Sequence, residues 1–149
     1  MASETVGRPM EILLVEDSLM FARIAIGALS RGQIQHRLTW LSDGLEALHF
    51  LRRQGKYTLA PRPDLLLLDL KLPGMDGQEL LESVRSDDHL KSIPVVVMTG
   101  DGEQAQLGAL QVEAFLTKPL DLTKFIEIIQ KLSRFWQADM VLPSAEPTA

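Results

Sequence analysis

Two unbroken apolar runs dominate the pattern of the chain, Leu65-Leu-Leu-Leu68 and Ile93-Pro-Val-Val-Val-Met98. Neither alternates as a half-exposed sheet would, so both read as strands covered on both faces, as in a parallel sheet between helical layers. Met10–Val15 and Glu113–Leu116 read as two further strands, and Arg37–Leu41, which does alternate, as one nearer an edge. Between the strands the apolar spacing lengthens to the helical period. A first helix runs from Leu19 to Arg31, with Ser18 as its N-cap and Gly32 as its stop. A second runs from Leu45 to Gln54, and a third, capped by Asp76, through Gln78 to Val84. A short helix from Glu103 to Leu110 and a long one from Leu122 to Trp136 complete the series. The segment Gly55 to Pro63 is a loop. The (βα)5 alternation predicts an α/β fold, a doubly wound five-stranded parallel sheet with right-handed crossovers.

The polar residues that close these strands fall on one rim of such a sheet. Glu16 and Asp17 follow the first strand, Asp69 ends the third, Thr99 follows the fourth and Lys118 the fifth. The carboxyl ends of parallel strands are where open α/β sheets bind their ligands. An aspartate ending a fully apolar strand costs several kcal/mol, on the order given for a buried unpaired charge, so Asp69 needs a partner. Three carboxylates drawn together need a cation between them, and hard oxygen donors without His or Cys favour Mg²⁺ or Ca²⁺ over zinc. A site that must also admit a phosphate points to Mg²⁺. With the Thr99 hydroxyl and the Lys118 ammonium it forms a cage for an anion beside Asp69, as a carboxylate nucleophile accepting a phosphoryl group requires.

Composition narrows the class. The chain of 149 residues fits one domain, residues 10–136, preceded by a disordered stretch 1–9 and followed by a tail 137–149. Fifteen basic against 20 acidic residues leave a net charge of −5, without a Lys/Arg run that would suit nucleic acid. There is no cysteine, which excludes disulfides and thiol chemistry. No segment has the ~18 apolar residues that span a bilayer, and the polar N-terminus has no signal-type apolar core. A soluble, cytoplasmic protein is expected. The three histidines, His36, His49 and His89, lie on separate elements and do not suggest a metal site.

The combined motifs resemble the receiver domains of two-component response regulators over roughly Met10 to Trp136. They are Val-Glu16-Asp17, Asp69-x-Lys71-x-Pro73-Gly-x-Asp-Gly77, Thr99-Gly100 and Lys118-Pro119. The resemblance implies the flavodoxin-like strand order 2-1-3-4-5. It implies Asp69 as phospho-acceptor, and Mg²⁺ held by Asp17, Asp69 and the Lys71 carbonyl, with Glu16 acting through water. Thr99 would bond the phosphoryl group and Lys118 would pair with it. Phe115 matches the family's switch aromatic, although a strand aromatic is core by default. Lys71 and Asp101 occupy positions that flank the path of a hydrolytic water and so tune the phospho-lifetime. The family implies no enzyme beyond self-catalysed phosphorylation and dephosphorylation. A haloacid-dehalogenase-like phosphatase also uses a strand-end aspartate with Mg²⁺, but it needs a second acid where Lys71 stands.

The loop Gly55 to Pro63 and the ending Arg134-Phe-Trp136…Val141-Leu-Pro143 are similar to single-domain regulators serving phytochrome histidine kinases. The implied partner is a phytochrome-type sensor histidine kinase, with signalling by phosphorylation-dependent protein binding. A phosphorelay shuttle and a phosphorylation-independent adaptor are the alternatives. Two features depart from the group. The segment from Thr99 to Lys118 is short, and the first helix opens on apolar Leu19-Met20-Phe21. The last helix carries apolar residues over about half its circumference, with Ile128 and Phe135 at one margin. A deeply packed helix and a partner surface both fit that arc, and the second is favoured because Met140-Val-Leu142 extends the apolar surface beyond it. A homodimer through Ile128, Phe135, Met140 and Leu142 is therefore expected, as the resemblance to phytochrome-associated regulators also implies.

Overall fold

The computed structural model describes residues 8–31, 35–72, 74–99, 112–118 and 121–131, with Thr99 and Ile129 as backbone. Ten elements follow one another: β1 (Met10–Val15), α1 (Leu19–Arg31), β2 (His36–Leu41), α2 (Gly44–Arg52), a 3-10 turn (Gly55–Tyr57), β3 (Leu65–Asp69), α3 (Gly77–Arg85), β4 (Val95–Thr99), β5 (Ala114–Thr117) and α4 (Leu122–Lys131). All strand pairings are parallel, and the order across the sheet is β2-β1-β3-β4-β5. The expected class and strand order are both present. Asp101, the expected helix at 103–110, Phe135 and the tail with Met140 and Leu142 lie outside the described residues, as do Pro73 and the Thr99 side chain.

The apolar runs do what their lack of alternation requires. Leu65, Leu66, Leu67 and Leu68 are all fully buried, because β3 is central and helices cover both faces. Successive residues face opposite layers. Leu65 and Leu67 join Ile12, Leu14, Val96, Met98 and Leu116 against α1 and α4. Leu66 and Leu68 join Leu13, Val15, Val95 and Val97 against α2 and α3. Helix α1 meets the sheet through Ala22, Ala25, Ala28 and Leu29, so its bulkier Leu19 and Met20 stay exposed. Helix α4 inserts Phe125 fully, and Ile126 and Ile128 pack partly buried against the same cluster. Part of its wide apolar arc therefore serves the core.

Helix starts follow the side chains expected of them. The Ser18 hydroxyl accepts the Phe21 N–H at 3.3 Å. Asp76 accepts the Glu79 N–H at 2.9 Å while Glu79 reaches back to the Asp76 N–H, a reciprocal capping box that starts α3. Asp43 caps α2 by accepting from Leu45 and Glu46. Helix α2 ends earlier than its apolar spacing suggests, because Arg53 turns left-handed at φ 55° and its N–H closes on the carbonyls of His49 and Phe50. The loop that follows folds back on α2. The Tyr57 ring meets Phe50 edge-on at 5.4 Å, and its hydroxyl donates to Glu46 at 2.6 Å.

Candidate phosphorylation site

The strand register carries three charged groups to one end of the sheet and one face of it. Glu16 continues the alternation of Ile12 and Leu14, Asp69 that of Leu65 and Leu67, and Lys118 that of Leu116, all on the α1–α4 side. Asp69 is 2% exposed and Glu16 wholly buried, whereas Asp17, the second residue past β1, faces solvent. Carboxylate oxygens of Glu16, Asp17 and Asp69 lie within 4.8 Å of one another.

Lys118 provides the countercharge. Its Nζ donates to both Glu16 oxygens at 2.9 and 3.0 Å and stands 3.1 Å from Asp69 Oδ2. The other Asp69 oxygen accepts the Lys71 N–H at 3.1 Å, so the turn after β3 also holds the carboxylate. Burial pushes the Glu16 carboxyl up to about 8, reinforced by its hydrogen bond with Asp69 and only partly countered by Lys118. Burial works against the charge on Lys118, but its two carboxylate partners outweigh it and leave its pKa raised.

Two aromatic side chains complete the surroundings, and neither was among the expected site residues. The Trp40 indole N–H, on β2, donates to the Glu16 carbonyl at 2.7 Å, while the Glu16 N–H donates to Leu41 O at 3.1 Å. Both bonds tie the backbone beneath the acidic pair to the end of β2. The Phe21 ring lies under Lys118 with Nζ 4.7 Å from its centroid, a cation–π contact. The only signal in the sequence was an aromatic residue where an edge strand or a polar helix start was expected. Phe115 is 37% exposed, so the default of a core aromatic does not hold. Ile128, expected at a partner surface, is half-buried on the core.

Three carboxylates with one side open to solvent suit a hard divalent cation, which their oxygens favour over softer metals. A family model for the response regulator receiver domain matches residues 12–130. The chain is a response regulator receiver domain. This receiver is 41% identical over 140 residues to response regulator Rcp1 of Synechocystis sp., covering 92% of this chain and 95% of that protein. The Mn²⁺-bound crystal structure of Rcp1 superposes with a TM-score of 0.71 at 40% identity, covering 91% of this chain and all of that one. The bacteriophytochrome response regulator AtBRR gives 0.79 at 38% identity, over 87% and 96% of the two chains. The phosphorylated cyanobacterial phytochrome response regulator RcpA gives 0.72 at 37%, over 91% and 99%. AtBRR and RcpA are named as phytochrome response regulators, and the family is one of signalling proteins phosphorylated on aspartate. Among the described residues no helix is long and apolar enough to cross a membrane.

Proposed function

We propose that Asp69 accepts a phosphoryl group from the phosphohistidine of a phytochrome-type sensor kinase, and that the protein signals through the change of binding partner that follows. The observation that carries this reading is the Asp69 carboxylate, buried at the end of β3 and touched by an ammonium and two further carboxylates. One Asp69 oxygen forms the O–P bond as the N–P bond of the donor breaks. Mg²⁺, held by Asp17, Asp69 and the Lys71 carbonyl with Glu16 through water, would neutralise phosphoryl charge there. Lys118 then exchanges its contact with Asp69 for one with a phosphoryl oxygen, and the Thr99 hydroxyl donates to another. Phe115, already at the surface, is the side chain whose position that exchange would alter.

The relatives' names support a phytochrome-type kinase as donor, and we place the exchange in the cytoplasm as part of the same proposal. We also propose a homodimer through the last helix and the segment Met140 to Leu142, supported by the apolar arc that continues past α4 in the sequence. Residues 10–136 act as the receiver, with 1–9 and 137–149 as its appendages. The test uses the full chain with Mg²⁺ and acetyl phosphate. One phosphoryl group should appear by intact mass, be lost to hydroxylamine, and fail to form in Asp69→Asn. Undiminished labelling of Asp69→Asn overturns the assignment.

A further inference from the structure

At the opposite end of the sheet from Asp69, a cleft of about 480 Å³ opens between the end of α2, the loop before β3 and the α3–β4 loop. Three arginines line it, Arg52, Arg53 and Arg62. Two of them are fixed in place. Arg62 donates to the His89 carbonyl and, at 3.0 Å, to the Ser92 hydroxyl. Arg52 pairs through Nε with Asp87 at 3.4 Å. The third is uncommitted: among the described residues the Arg53 side chain has no hydrogen-bond or ion-pair partner, and it leaves the left-handed cap of α2.

The lining carboxylate does not compete for a ligand. Asp87 Oδ1 accepts the His89 N–H at 2.8 Å, and Oδ2 takes Arg52. Three guanidiniums against one aspartate leave two positive charges unmatched in a chain whose net charge is −5. A phosphate monoester, with a charge of about −1.5 to −2 at pH 7, balances them. Guanidinium forks bind phosphate oxygens bidentately. The volume is within the range of small-molecule sites and far exceeds an inorganic anion. Its floor is apolar, formed by the buried Leu51 and Leu90. Arginine planes also stack on planar rings.

We propose that this cleft binds a small ligand joining a phosphate monoester to a planar ring, a mononucleotide in chemical class. Arg53 and Arg62 grip the phosphate, and the ring lies on Leu51 and Leu90 with His89 at the lip. The site shares no residue with the Asp69 pocket, and the proposal stands whether or not Asp69 is the phospho-acceptor.

The experiment is a titration of the full chain, followed by backbone amide NMR, with adenosine 5′-monophosphate, adenosine and inorganic phosphate in parallel. The monophosphate should give saturable shifts at residues 52–54 and 87–90, with a dissociation constant on the order of 0.1–1 mM, about −4 to −5.5 kcal/mol. Adenosine alone and phosphate alone should each bind at least about tenfold more weakly. Arg53→Gln, which removes no described contact, should weaken the monophosphate about tenfold. No saturable shift, or binding unchanged in Arg53→Gln, overturns the site. Phosphate binding as tightly as the monophosphate also overturns it, reducing the cleft to an adventitious anion site.

Discussion

Replacing Trp40 by phenylalanine isolates one contact of the phosphorylation site. The ring, partly buried and packed against the α1–α4 cluster, is largely kept. What disappears is the indole N–H that donates to the Glu16 carbonyl at 2.7 Å. A hydrogen bond of this kind contributes about 1 kcal/mol net, and up to ~3 kcal/mol is lost if the carbonyl is left unpaired. The bond holds the backbone of Glu16, one residue before the exposed Asp17, and so fixes where the acidic pair stands. Outer contacts of metal ligands commonly govern affinity by about 10–100-fold. Trp40 acts through main chain rather than on a ligand atom, so the smaller figure is the relevant one: 1 kcal/mol corresponds to about fivefold. Calorimetric titration of Mg²⁺ should show affinity falling roughly five- to tenfold in Trp40→Phe. The same variant should melt only ~2–4 °C lower, the usual shift per kcal/mol near this size. Trp40 emission in a Trp136→Phe background should also change on adding Mg²⁺. Mg²⁺ affinity within twofold of the parent, alongside the lowered melting temperature, would show that Trp40 serves the fold alone.

Three further outcomes follow from other contacts. Gly44→Ala places a Cβ 1.8 Å from the Met75 carbonyl oxygen, so the β3–α3 loop must shift. Overpacking of that kind costs about 1–3 kcal/mol, and a melting temperature unchanged within error would refute the close approach. Met20 is 61% exposed in the first turn of α1, three residues after Asp17 in sequence, and Met20→Glu should slow transfer from the kinase while sparing labelling by acetyl phosphate. Equal slowing with both donors would place Met20 in the fold or pocket instead of the docking surface. The Tyr57 hydroxyl holds the Glu46 carboxyl below its ordinary 4.5, which adds stability above that pH and loses it as pH falls through the lowered value. Tyr57→Phe should raise the Glu46 midpoint in a carboxyl NMR titration, and an unmoved midpoint would deny the contact.

The parallel sheet was legible because β3 and β4 are apolar without alternation, which only a doubly covered strand tolerates. Asp69 and Lys118 were legible for a related reason, since a charge that ends such a strand must find a countercharge. The link from Trp40 to Glu16 was not, since its residues stand 24 positions apart and neither side chain forecasts a bond to main chain. The same holds for Phe21 beneath Lys118, two residues from distant elements. The face of α1 was only partly legible. Its apolar residues run round most of the helix, but the small Ala22, Ala25 and Ala28 let it lie close to the sheet with Leu29, and Leu19 and Met20 stay outside.

The alternation of the strands divides the protein into two halves with different duties. Glu16, Asp69 and Lys118 share the face covered by α1 and α4, whereas α2, α3 and the loop after α2 rest on the other. Phe115, by its alternation with Leu116, belongs to the other face, so the exchange proposed at Lys118 reaches both layers of the sheet. Leu59, 95% exposed in the loop between the 3-10 turn and β3, becomes a natural port for engineering. A fluorophore or a fused peptide placed there would ride on the receiver at the end of the sheet opposite Asp69.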